Sequence, residues 1–212
     1  MALAFNQSKG KAQKTSHEAY TYKDKDNLVR LVGGVLPRYV YWLKGTNNKD
    51  VPVECLAFDR DKEKFTNVET DYVPQYFPDK KCQWAYAINC IDPSDGKVKV
   101  LNLKKKLFEQ IRSAAEDLGD PTDTVTGWDI NFKREKTGPL PFNVEYTLNV
   151  LRCKKRALTE DELAAVNEAL TIDEKFIRPT PEEVKALCEK LKSGGEEEPS
   201  TSEGEAINEL GQ

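Results

Sequence analysis

Residues 84–118 read WAYAINCIDPSDGKVKVLNLKKKLFEQIRSAAEDL, and this stretch decides the fold. Its first part alternates, with Trp84, Tyr86, Ile88 and Cys90 on one face of a strand. Asp92-Pro93-Ser94-Asp95-Gly96 is a turn sequence, and residues 97–103 return as a second strand with Val98 and Val100 inward. The period then changes from two to 3.6. Leu107, Phe108, Ile111, Ala114, Ala115 and Leu118 repeat at helical spacing, Gly119 is a natural residue to end that helix, and Pro121 follows. A hairpin running directly into a helix is therefore expected at the centre.

Working outward, residues 28–32 form a short apolar strand ended by Gly33-Gly34. Residues 38–43, rich in Tyr and Trp, and residues 51–58 give two more. Residues 59–82 are charged and carry prolines, and read as an irregular insert. On the other side, residues 128–133 and 144–151 alternate again. Thr159-x-x-Glu162 is a capping box opening a helix to about residue 170, and Thr180-Pro181-Glu182-Glu183 opens another to about residue 192. The expected class is mainly β with helices. A β-barrel with an OB-fold core fits the five or six mostly antiparallel strands interrupted by one helix, as does another small α+β sheet. The expected divisions are a flexible basic arm (1–26), the core (27–156), C-terminal helices (157–192) and a disordered acidic tail (193–212).

Charge is divided as unevenly as structure. The chain has 32 bases against 36 acids, but residues 193–212 hold six glutamates and no Lys or Arg, leaving a body of +2 and a tail of −6. Within the body, residues 1–49 are net +6 and residues 97–156 net +5, separated by residues 50–96 at −5 and followed by residues 157–192 at −4. Basic segments that meet in space make a stripe able to track a phosphate backbone. A polyanionic tail beside it competes with an anionic ligand or recruits partners.

Several function classes are disfavoured. No run approaches the ~18 apolar residues of a membrane helix, and the start lacks a signal-peptide core, so a soluble cytoplasmic protein is expected. Cys55, Cys82, Cys90, Cys153 and Cys188 are odd in number and scattered, which reads as reduced thiols. His17 is the one histidine, and no C-x-x-C occurs, so neither a metal nor another cofactor is expected. Phosphate-binding glycine loops and nucleophile elbows are missing, and catalysis is not expected.

Three basic clusters are candidates for a ligand surface. Lys104, Lys105 and Lys106 open the central helix, where the macrodipole favours acids, so an anion nearby would account for them. Lys133 and Arg134 end one strand; Arg152 and Lys154 follow the next. Tyr39, Tyr41 and Trp42, beside Arg38, are the candidate stacking platform, because adjacent aromatics on a strand point to opposite faces. Trp84, Trp128, Phe132 and Tyr146 lie on apolar faces and read as core.

Trp84 to Pro93, then Gly96-Lys97-Val98, Lys105-Lys106-x-Phe108-x-x-Ile111, Gly119-Asp120-Pro121 and Gly127-Trp128-Asp129-Ile130 together resemble the core of the T-even-type bacteriophage helix-destabilising, single-stranded DNA-binding proteins. The resemblance covers about a third of the chain. It implies an OB-fold core with a basic cleft for single-stranded DNA, acting in phage DNA replication, recombination and repair in the host cell cytoplasm. It also implies cooperative self-association through the basic arm, with Lys11 and Lys14 as a faint echo of that motif. The acidic tail would recruit replication and recombination proteins through Glu196, Glu197, Glu198, Glu203, Glu205 and Glu209, with Ile207 and Leu210 as apolar anchors. Those relatives carry a His/Cys zinc subdomain before the Trp84 strand; residues 55–82 here have two cysteines and no histidine, so the insert reads as metal-free. An RNA-binding OB-fold protein and a protein-interaction adaptor are the alternatives.

Overall fold

The computed structural model describes residues 17–45, 48–140 and 143–193. Among them, the strands are β1 (Lys25–Leu36), β2 (Tyr39–Lys44), β3 (Asp50–Glu54), β4 (Phe58–Asp59), β5 (Lys64–Phe65), β6 (Gln83–Trp84), β7 (Ala87–Asp92), β8 (Lys97–Asn102), β9 (Trp128–Lys136), β10 (Val144–Leu148) and β11 (Lys154–Lys155). The helices are α1 (Val73–Tyr76), α2 (Lys105–Leu118), α3 (Glu160–Glu168), α4 (Ile172–Lys175) and α5 (Pro181–Ser193). The main sheet runs β10-β9-β1-β7-β8, with β11 added to β9; a second sheet runs β3-β2-β6. All strand pairs are antiparallel.

The central hairpin and helix form where expected. β7 and β8 pair from Ala87–Asn102 to Asp92–Lys97. The Asp92 side chain caps the turn by accepting from the Ser94 N–H and hydroxyl. Gly119 ends α2 at φ 84°, a backbone open to glycine at no steric cost.

Directly opposed residues share a face, so the registers define two surfaces. Val29, Leu31, Ile88, Cys90, Leu101, Ile130, Phe132, Tyr146 and Leu148 join one large core, which continues through Tyr41, Leu43 and Val53 of the second sheet to Val184 and Cys188 of α5. The other face of β1, β7 and β8 is covered from the C-terminal side. Ile172 and Phe176 pack on Leu36, Ala87 and Val100, and Leu158 packs on Val32 and Ile91. Both faces of β8 are therefore buried.

Five expectations change. The sheet is not a closed barrel: β8 and β10 are its two edges and do not pair. Residues 18–22 lie between those edges instead. Ala19 bridges Val100 in parallel, with bonds from the Tyr20 N–H to Val100 O and from the Val100 N–H to Glu18 O. The Tyr22 ring meets Phe132 and Tyr146 edge-on. Side chains and one bridge thus close a gap that a strand pair would otherwise close. Residues 17–26, the end of the segment read as an arm, are accordingly packed on the sheet, while residues 1–16 and the tail beyond Ser193 lie outside the described residues.

Gly33-Gly34 does not end β1. The strand passes through a bulge there, with Gly33 at φ 72° and the register on β7 shifting between Val32 and Val35. The alternating run from Trp84 is two strands, because Ala85 leaves the second sheet: its N–H bonds Arg38 O and its carbonyl accepts from Arg38 Nε. Finally, the insert holds the β4–β5 hairpin and α1 rather than irregular chain alone.

Candidate nucleic-acid interface

The junction of β8 and α2 carries two groups of rings. On one side, the Trp84 Nε1–H donates to Leu103 O, and its indole stacks on Tyr86 at 3.5 Å and 12°. Phe108, from the first turns of α2, meets both rings at 5.6 and 5.8 Å. Tyr39, opposite Trp84 across the β2–β6 pair, adds a third wall, and the β4–β5 hairpin lays Phe58 and Phe65 on Tyr39 at 4.8 and 5.0 Å. Phe58 and Tyr86 are buried, Tyr39, Trp84 and Phe108 are half-buried, and Phe65 is 51% exposed. The cluster thus has a packed base and an open rim.

On the other side, the Tyr22 hydroxyl donates to Asn102 O, and its ring packs on Tyr146 at 5.0 Å. Lys104 stands between the groups. Its Nζ lies 5.9 and 5.6 Å from the centroids of Tyr22 and Tyr146, within cation–π range. Its carbonyl accepts the Phe108 N–H, one turn along on the same side of the helix. Lys104 is also the extended residue that starts α2, with no side-chain cap; Lys105 and Lys106 are exposed, and no acid occupies the first turn. Open backbone N–H groups and three lysines make this end of α2 strongly electropositive.

The sequence-derived candidates separate into three places. Tyr39, Lys104, Lys105 and Lys106 come together at this surface. Lys133 and Lys154 lie on the face of β9 opposite to Phe132, Lys154 facing Asp129, and Arg152 sits 3.6 Å from Asp26 on that side. The remaining four are engaged elsewhere. Arg38 is buried, bonded to Ala85 O and stacked at 3.9 Å over Phe176. Tyr41 is 5% exposed, donating at 2.8 Å to the buried carboxylate of Asp71. Trp42 is half-buried opposite Pro52, on the reverse face from Tyr41. Arg134 is buried against Asp24. Inward polar partners hold Arg38 and Tyr41 in the interior. The tail candidates lie outside the described residues.

Sequence reasoning missed Phe65, Phe108, Trp84 and Tyr22 as ring donors to this surface. Phe108 carried a signal, since it follows Lys104 by one helical turn. Phe65 carried none, because its insert shows no period.

The Cys82 thiol, next to β6, is held below the ordinary thiol range by its interaction with Cys55. No group of three or more His, Cys, Asp or Glu side chains among the described residues could hold a metal ion, and no described helix is long and apolar enough to cross a membrane.

A rim of partly exposed rings flanking a lysine-bearing helix N-terminus can hold flat rings joined by phosphates. No family model matches the chain, and no solved structure matches it significantly. The chain is similar to a curated protein of Escherichia phage T5 named "Probable ssDNA-binding protein", 38% identical over 130 residues, which cover 56% of this chain and 49% of that relative. The chain thus spans about half the length of the curated relative it matches.

Proposed function

We propose that this protein binds single-stranded DNA, coating it with little sequence preference and without catalysis. The observation that carries the reading is the β8–α2 junction, where Lys104, Lys105 and Lys106 sit beside half-buried Tyr39, Trp84 and Phe108 and exposed Phe65. Rings stack on bases at about 1–3 kcal/mol each, and lysines displace counterions from phosphates. Lys133, Arg152 and Lys154 extend the basic character on the opposite face of β9 and are secondary backbone contacts in this reading. The T5 relative's name supports the ligand class. The relative belongs to T5, so the phage class rather than its T-even branch is the better supported form.

The order β10-β9-β1-β7-β8, with a helix between β8 and β9, also supports reading the core as an OB-type sheet opened between its third and fifth strands. The wider role we infer is in phage DNA replication, recombination and repair within the host cytoplasm. The arm would mediate self-association on DNA, and the acidic tail would recruit protein partners.

Titration with oligo-dT at two salt concentrations, followed by tryptophan fluorescence, tests the reading, since Trp84 is at the rim. Quenching that weakens steeply with salt is expected, with a log–log slope of about −0.7 per phosphate contact. No binding at low salt, or a flat slope, would overturn it.

A further inference from the structure

The N-terminal arm leaves the body at a defined place. The His17 ring packs on Phe176 at 4.7 Å, one residue beyond α4. Glu18 and Ala19 then join the edge of β8, with the Glu18 carboxylate 3.5 Å from Lys97 and 3.6 Å from Lys99. Because Ala19 bridges Val100 in parallel, the chain before His17 points back toward Val98 and the start of β8. That end of the strand lies beside α3, for Val98 and Val166 pack against the same small cluster.

The helices at this exit present apolar and acidic side chains to solvent. Leu163 and Leu170 are exposed, and Ile177, next to Phe176, is 83% exposed. Residues 157–177 carry six acids and one lysine. Glu160, Asp161, Glu168 and Asp173 are exposed and form no ion pair among the described residues. The cations nearest in the chain are turned elsewhere. Arg156 holds Asp129 and Glu162, Lys175 donates to Asn89 Oδ1, and Arg178 donates to Leu56 O and Phe58 O. Lys154 and Lys155, exposed on β11, form no ion pair with these acids either.

Residues 1–16 are the chemical complement, with Lys9, Lys11 and Lys14, no acid, and Leu3 and Phe5 ahead of them. Lys14 is three residues from His17 and so stays within about 10 Å of it, while Lys9, eight residues out, reaches about 28 Å. The second span is twice the length of a nine-residue helix such as α3. A segment tethered this closely meets its own body at an effective concentration on the order of millimolar, ahead of any arm from a second copy. We propose that residues 1–14 dock on the α3–α4 face of their own chain, the lysines on its carboxylates and Leu3 and Phe5 against its exposed apolar side chains. Docked there, the arm is available to a strand or to a second copy only by displacement, and salt loosens it. The docking stands whether or not the strand-binding reading does.

The test treats the full chain, half of it labelled with heavy nitrogen, with a carbodiimide, which joins amines to carboxylates in contact. Amide links from Lys9, Lys11 or Lys14 to Glu160, Asp161, Glu168 or Asp173 are expected at low salt, within chains of one label, and are lost at high salt. A second measurement needs no crosslink. In Glu160→Gln/Asp161→Asn/Glu168→Gln/Asp173→Asn, altered only at exposed positions, trypsin should cut after Lys11 and Lys14 several-fold faster than in the unaltered chain. Links that join chains of different label would make a second copy the occupant, and links to carboxylates of residues 196–209 instead would place the arm on the tail. Either result would overturn the proposal, as would an absence of links or equal cutting of the two chains.

Discussion

Tyr39 and Tyr41 are two residues apart on one strand, and their surroundings give them opposite roles. Tyr39 leans on Trp84 and Phe65 at an open rim, whereas Tyr41 points into the core and donates to Asp71. Removing the Phe65 ring by Phe65→Ala is expected to weaken oligo-dT binding by about 1–3 kcal/mol, with little change in melting temperature. Tyr41→Phe should do the reverse. It leaves the buried Asp71 carboxylate short of a donor and costs about 1–3 kcal/mol in a denaturant titration, with strand affinity kept. A third residue sets the acid limit. Burial alone would raise the Asp92 carboxyl, but hydrogen bonds from Ser94 and Lys99 hold it at about 2, below its ordinary 3.8. The stabilisation from a lowered carboxyl is complete above about pH 4 and is lost as pH falls through 2. Stability followed by circular dichroism should drop across that window, and Asp92→Asn should flatten the drop.

At the scale of elements, α2 is both a core helix and an electropositive end. Leu107 and Ile111 are buried in the core, while Lys105 and Lys106 point to solvent. Lys105→Ala and Lys106→Ala are each expected to lower the log–log salt slope by up to about one and to leave the melting temperature unchanged. An unaltered slope in the double variant would remove α2 from the interface. This hairpin and helix were the legible part of the fold, because alternation, a strong turn and a 3.6-residue stripe all agree there. The lysines were legible as well, since their sign opposes the helix dipole. The β4–β5 hairpin was not, as strands of two residues each have no period to read. Nor was the inward turn of Tyr41: alternation tells that neighbours diverge, and only the packing of α5 and Asp71 decides which face is covered. The bridge of residues 18–22 on β8 was hidden for a similar reason, since a polar segment gives no sign that Tyr20 will bury its ring and Tyr22 pack against the core.

For the whole molecule, the C-terminal segment covers one face of β1, β7 and β8, and the surface we propose for a strand is the β8–α2 end with its two ring clusters. The tail belongs to this balance. Residues 194–212 carry six glutamates and no base, and their deletion should tighten oligo-dT binding several-fold at low salt, by removal of a tethered competitor. Unchanged affinity in the truncated chain would argue against competition. The central claim is the location of the strand. It is tested most directly by photocrosslinking the full chain to an oligonucleotide carrying 5-iodouracil and mapping the adducts by mass spectrometry. Adducts at Tyr39, Phe65, Trp84 or Phe108 are the expected result. A strand that binds but crosslinks to Trp42 or to residues 150–155 on the far face, with these four rings unmodified, would contradict it.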